Sequence, residues 1–200
     1  MAEREWNDNY VSGQLPWDTG TPDPMLTAFI ERGGVAPGRT LEIGAGTGTN
    51  ARWLAERGFD VLGVDNAPRA VEIAREKHGT HARFEAADFL AHPPSGPFAF
   101  VFDRGCFHCF DTADERARFA ANVARALAPG GVWLSLIGST EGPPRDFGPP
   151  RRSAREVIAA IEPHLAIEEL TAAEFGDHVA SAWRCVSRAR TTPAQPSTGS

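Results

Sequence analysis

Leu41-Glu42-Ile43-Gly44-Ala45-Gly46-Thr47-Gly48-Thr49-Asn50 decides the fold. An apolar strand pattern over 39–43 runs into it and a helical pattern over 50–56 runs out. That is the setting of a glycine-rich ligand loop, where missing Cβ atoms allow a tight turn and a close approach to the main chain. The dinucleotide fingerprint G-x-G-x-x-G is not met, because Thr49 stands where its last glycine belongs. The pattern is E-x-G-x-G-x-G, and the leading acid sets the charge preference. A pyrophosphate would be repelled by Glu42, whereas a ligand carrying an amino group and a sulfonium would be favoured.

Outward from the loop, short apolar runs alternate with helical patterns, which predicts βαβ units and a doubly wound, mostly parallel sheet. Strands are expected at 39–43, 61–64, 82–85, 98–102, 132–137, 165–170 and 183–188, the last two antiparallel at the edge. Helices are expected at 50–56, 69–77, 115–127 and 155–161, and another starting near Asp23, with Pro24 at its first position. The expected organisation is an N-terminal arm over 1–24, irregular and covering the site, a single α/β domain over 25–190, and a disordered Pro/Ser/Thr-rich tail over 191–200. Length fits one domain of the usual ~100–200 residues.

Twenty Lys+Arg against 26 Asp+Glu give a net charge of -6, which argues against a nucleic-acid or anionic-membrane partner. Three cysteines form no disulfide framework. The start carries no basic, then apolar, leader, and no apolar run approaches the ~20 residues of a membrane span, so the chain is expected to be cytoplasmic.

Val64-Asp65 ends the second strand and Ala87-Asp88-Phe89 follows the third. A carboxylate at Asp65 can accept from two ribose hydroxyls; one at Asp88 can accept from an adenine amino group, with Phe89 against the ring. Either acid alone also reads as a helix cap or turn residue. Their order behind the glycine loop gives the ligand reading its weight.

Residues 42–50, Asp65, Asp88 and Leu127-Ala128-Pro129-Gly130-Gly131 before a strand together resemble a class I S-adenosylmethionine-dependent methyltransferase. Leu15-Pro16-Trp17-Asp18-Thr19-Gly20 is similar to a segment of the thiopurine, thiol and halide methyltransferase group. The resemblance implies S-adenosyl-L-methionine as cofactor, bound by Trp17, Glu42, Gly44, Ala45, Gly46, Gly48, Asn50, Asp65, Asn66, Asp88, Phe89, Asp103 and Arg104. It implies a cofactor contact at Trp17, with Trp6 a second candidate; an arm-anchoring tryptophan is the alternative. It also implies that residues 106–110 border the acceptor pocket.

Strand 4 leads into Phe102-Asp103-Arg104-Gly105-Cys106-Phe107-His108-Cys109-Phe110, at the carboxyl edge where α/β sheets place ligands. His108 and Asp103 are the candidate catalytic bases, against a packed, satisfied histidine. Cys106, Phe107, His108, Arg151 and Arg152 are the candidate acceptor-binding residues, the arginines for an anionic group or else merely solvated. Cys106-x-x-Cys109 lacks the second ligand pair of a zinc site, so no metal is expected; small apolar pocket or core cysteines are the main reading. Phe107, Phe110 and Phe147 favour an apolar acceptor.

The expected function is methyl transfer to a small nucleophile, a thiol or related soft sulfur first, then a phenol or quinol oxygen, then halide. A monomer or weak dimer is expected. Competing readings are a nicotinamide oxidoreductase, a cofactor-binding module without catalysis and a nucleic-acid methyltransferase.

Overall fold

The computed structural model describes residues 3–143, 148, 150–176 and 180–190, with side chains from residue 6 onward. The expected tail and the loop residues Arg145 and Phe147 lie outside them.

The order is α1 (Glu3–Ser12), α2 (Pro24–Glu31), β1 (Arg39–Ile43), α3 (Thr49–Ala55), β2 (Asp60–Asp65), α4 (Pro68–His78), β3 (Arg83–Ala86), β4 (Phe98–Arg104), a 3-10 turn (Phe107–Cys109), α5 (Ala113–Ala126), β5 (Leu127–Gly138), α6 (Ala154–Ile161), β6 (Ala166–Phe175) and β7 (Ala180–Arg188). One seven-stranded sheet runs β3-β2-β1-β4-β5-β7-β6. Strands 1 to 5 pair in parallel, and β7 lies antiparallel between β5 and β6. The strand order reverses between β1 and β4, the switch point at which such sheets open a crevice beyond their carboxyl ends.

The alternation of strand side chains sorts the core into two layers. Leu41, Ile43, Val64, Val101 and Trp133 face α5 and α6 with Phe107, Phe119, Val157 and Ile161. Val61, Phe100, Phe102, Leu134 and Leu136 face the other side with Leu26, Trp53, Leu54, Val71 and Phe84. Each large apolar side chain so buried contributes roughly 1.5–3 kcal/mol. The same alternation sends Glu42 and Asp103 to opposite faces of the sheet.

Helix starts follow local chemistry. Asp23 caps α2 by accepting from the Met25 N–H at 2.9 Å, and Pro24 opens the helix, as expected. Thr112/Glu115 and Ser153/Glu156 form capping boxes on α5 and α6. α4 has no such side chain at its own N-cap, Ala67. There, Asn7 of α1 accepts from the Arg69 N–H at 2.9 Å.

That helix corrects one expectation: residues 1–24 are not irregular throughout, because α1 occupies Glu3–Ser12. Its signal is faint, since its apolar face is little more than Trp6 and Tyr10, one helical turn apart, packed in a small cluster with Leu15, Trp17, Ala67, Ala70 and Ile73. No helix among the described residues is long and apolar enough to cross a membrane.

Candidate active site

The glycine loop joins β1 to α3 at the switch point. Gly44, Gly46 and Gly48 have φ of 71°, 54° and 84°, the left-handed region that glycine adopts freely. At Gly48 the need is also steric, since a Cβ would stand 2.7 Å from the Phe84 ring. The Gly44 and Ala45 N–H groups donate to the Val64 carbonyl at 2.8 and 3.0 Å, tying the loop to β2. Ala45 is buried, its methyl turned toward Gly63.

Three acids were expected around this loop, and the structure treats them differently. Asp65 is 8% exposed; it accepts from the Gly46 N–H and the Ala67 N–H, both at 2.9 Å. Burial raises its carboxyl above the usual range, opposed by those amides. A carboxylate has about four acceptor positions, so two remain for ligand hydroxyls. Asn66, next to it, is half-buried. Glu42 is 1% exposed; one oxygen accepts from Asn50 Nδ2 at 3.1 Å and the other is buried without a partner among the described residues. Burial pushes its carboxyl up to about 8.

Asp88 is exposed and accepts from the Leu90 and Ala91 N–H groups at 2.8 and 3.2 Å, so it shapes the turn after β3. Phe89 is a correction. Its ring is 4% exposed and packs 4.9 Å from Phe119 in the main core, not against a ligand ring. Packing behind β3, with the Asn122 amide on the Phe89 carbonyl at 2.7 Å, outweighs any pull toward the crevice.

The arm closes over the loop. The Thr47 hydroxyl donates to Asp18 at 2.8 Å, and Trp17 stands edge-on to Trp6 at 5.4 Å and to Tyr10 at 6.2 Å. The Tyr10 hydroxyl lies over Gly46, 3.0 Å from where a Cβ would be, and accepts from Trp17 Nε1 at 3.4 Å. Burial, with Asp65 close by, raises the phenol above its usual range. Tyr10, Asp18 and Thr47 were missed from the sequence; the Trp6–Tyr10 spacing was the available signal.

Arg104, at the end of β4, donates from Nε to Asp23 at 2.6 Å and from Nη1 to the Trp17 carbonyl at 3.4 Å, while its guanidinium covers the Phe175 ring at 5.3 Å. Asp23 is nearly fully buried, and its N–H donates to Asn50 Oδ1 at 2.9 Å. A polar chain thus runs Glu42–Asn50–Asp23–Arg104.

Beyond Arg104 the expected chemistry is largely used up by the fold. Asp103 is fully buried and accepts from Trp133 Nε1 at 2.9 Å and from the Cys106 and Phe107 N–H groups at 3.2 and 3.0 Å. Burial pushes it up to about 6, against those bonds. It staples the turn after β4 and has no path to an acceptor proton, nor does it face the glycine loop as a cofactor contact. His108 is 3% exposed, and its Nδ1 accepts from the Gly138 N–H at 2.6 Å. That bond places the ring proton on Nε2, which makes the imidazole a donor and removes the lone pair a general base needs. Phe107 is fully buried, edge-on to Phe119 and Trp133, so it is core and not pocket wall.

Arg152 donates to the Phe110 carbonyl at 2.9 Å and to Asp111 at 3.1 Å; Arg116 of α5 reaches the same carbonyl at 2.8 Å. Arg151 donates to the Pro143 and Thr140 carbonyls at 3.0 and 3.4 Å. These arginines pin loops and do not form the expected anion clamp. Cys106 does border the loop, its Cβ 3.1 Å from where a Gly44 Cβ would stand. Burial holds its thiol far up, and it pushes Cys109, which donates to the Gly105 carbonyl at 3.0 Å, to about 12. Neither is a thiolate at neutral pH. No group of three metal-ligating side chains occurs among the described residues.

A family model described as a methyltransferase domain matches residues 40–131. Probable thiol methyltransferase 2 of Arabidopsis thaliana is 31% identical over 150 residues, 72% of this chain and 65% of that protein, so the chain spans just under two thirds of its length. The 2-heptyl-1-hydroxyquinolin-4(1H)-one methyltransferase of Mycobacteroides abscessus is 30% identical over 173 residues, 82% of this chain and 74% of that protein. A solved structure described with the conversion of a disulfide bond into a thioacetal group during echinomycin biosynthesis overlays with a TM-score of 0.75 at 30% identity, covering 87% of this chain and 84% of that one. The orphaned Glu42 oxygen and the amide-bound Asp65 suit a ligand with a cationic end and a ribose. With its strand order, its acid-led glycine loop and these likenesses, the chain belongs to the class I S-adenosylmethionine-dependent methyltransferases, and S-adenosylmethionine is its cofactor.

Proposed function

We propose that the chain transfers the cofactor's methyl group to a small-molecule soft sulfur nucleophile, a thiol above all. The observation that carries this is the state of the acceptor side. His108 Nδ1 is occupied, Asp103 is sealed by three donors, and both nearby cysteines stay protonated. An acceptor that ionises on its own near neutral pH suits such a site; a thiol, at ~8.5, does so far better than a simple phenol at ~10. The thiol methyltransferase and thioacetal-related likenesses support the same class.

In this reading Glu42 meets the cofactor's ammonium and Asp65, with Asn66 beside it, the ribose hydroxyls. The main chain of Gly44, Ala45, Gly46 and Gly48 lies along the ligand, and Asn50 orients Glu42. Asp88 shapes the adenine end through its turn. Trp17 and Tyr10 close the sulfonium off from water, and their rings attract its charge. The cofactor supplies an activated methyl group. The Arg104 guanidinium, 20% exposed and backed by Phe175, holds an incoming thiolate by charge, and Cys106 borders it. Alignment is then the main requirement: the acceptor sulfur–carbon bond forms as the sulfonium–carbon bond breaks, leaving S-adenosylhomocysteine and a methyl thioether.

A second reading, methylation of an acidic hydroxyl such as that of a hydroxyquinolone, is favoured by the Mycobacteroides relative, which spans more of this chain. Incubation with methyl-labelled cofactor and separate thiol, phenol and hydroxyquinolone panels, followed by mass spectrometry, decides between them. Thioether products at the highest turnover are expected. Labelled ether with no thioether would transfer the assignment to the second reading, and no product from any panel would defeat both.

A further inference from the structure

The protein leaves Glu42 unfinished. The side chain is 1% exposed, one oxygen is held by Asn50, and the other is buried with no partner among the described residues. A lone carboxylate in so dry a place is costly, whereas a neutral carboxylic acid is not.

The charges around it do not change that balance. From β2, Asp65 adds a like charge. From β4, Arg104 adds an opposite one, but its Nε is bound to the buried Asp23 carboxylate, which leads into α2, at 2.6 Å. α3 presents the neutral Asn50 amide and the Ala51 N–H, both of which favour the ionised form but neither of which carries a charge, and has no acid in its first turn. Glu42 therefore lacks a cation of its own, and burial pushes its carboxyl up to about 8.

We propose that Glu42 loads the cofactor by proton exchange: a neutral acid in the ligand-free protein, it gives up its proton to solvent as the cofactor's α-ammonium arrives at its free oxygen. This rests on the reading above that Glu42 meets the amino group. The O–H bond breaks, the proton goes to buffer, and an ion pair forms with no change in electrons. The crevice holds no unpaired charge at Glu42 before or after, which avoids the main penalty of a buried ion. Discrimination follows, because a nucleoside without an ammonium leaves the acid protonated.

Titration calorimetry with S-adenosylhomocysteine, in buffers of different ionisation enthalpy, counts the protons. At pH 6.8 about one proton released per ligand is expected. The count falls as pH rises through about 8, where Glu42 ionises without the ligand, and turns to uptake only in more alkaline buffer, where the ligand's own amino group arrives neutral. 5′-Methylthioadenosine, which lacks the amino acid moiety, should release none. Glu42→Gln keeps the shape and the Asn50 bond, and should bind S-adenosylhomocysteine at least about tenfold more weakly with no release. A wild-type binding enthalpy independent of buffer at pH 6.8, or undiminished release in Glu42→Gln, overturns the exchange and leaves the cofactor assignment standing. Failure of the wild type to bind either ligand overturns both.

Discussion

The two halves of the sheet's carboxyl edge use similar residues to opposite ends. Around β1 and β2, polar groups keep something in reserve: Glu42 has an orphaned oxygen, and Asp65 spends two acceptor positions on amides with others left. Around β4 and β5, Asp103 and His108 are taken up by donors from neighbouring elements, the Trp133 indole and the Gly138 N–H among them. An acid at a strand end is therefore not a role in itself. What distinguishes a ligand group from a structural one is bonding capacity left over after the fold has taken its share.

The strongest way to break this contrast is Asp103→Ala. It strands the Trp133 indole and two amides in the core, so a loss of roughly 3–5 kcal/mol in denaturant unfolding is expected. A stable variant with only turnover impaired would return Asp103 to catalysis. Gly48→Ala comes next: a strained φ of 84° and a Cβ 2.7 Å from Phe84 should cost about 2–4 kcal/mol. Unfolding midpoints would register it.

Asp65→Ala should weaken cofactor binding at least about tenfold, or ~1.4 kcal/mol, measured by calorimetry; unchanged affinity would remove Asp65 from the ribose. His108→Gln should lose about 1 kcal/mol of stability, while the pH profile of turnover keeps its wild-type shape. If an inflection vanished from that profile, the imidazole would be a base after all.

Stability should also depend on pH. Asp103, raised to about 6, and Glu42, raised to about 8, bind protons more tightly in the folded than in the unfolded chain. Ligand-free stability should accordingly fall as pH rises from about 4 to about 8. Glu42→Gln should flatten the upper part of that slope, which thermal melts across pH would show.

What the sequence made legible follows the physics of near neighbours. β1 and its loop, the α2 cap and the alternation of strands and helices are written in spacing along the chain, and the structure has them. Roles that depend on distant partners were not legible. Nothing near Arg104 in sequence announces its pairing with Asp23, 81 positions away, and Phe89 reads the same whether it faces a ligand or Phe119. His108 was misjudged for the same reason, since its bond comes from Gly138 on another strand. α1 escaped notice because a helix with one buried aromatic face carries little periodicity.

The Asn7 bond to the start of α4 spans 62 positions, and α4 begins three residues after Asp65. The helix that follows Asp65 thus borrows its first-turn anchor from the opposite end of this half of the chain. Closing so long a loop is slow relative to local structure, so α1 is expected to dock after the strands and helices between have formed. Assembly of the crevice and completion of folding are then one event. Hydrogen exchange at the Arg69 amide would report it: protection there should track α1, and Asn7→Ala should release that amide while the β1–β2 amides stay protected.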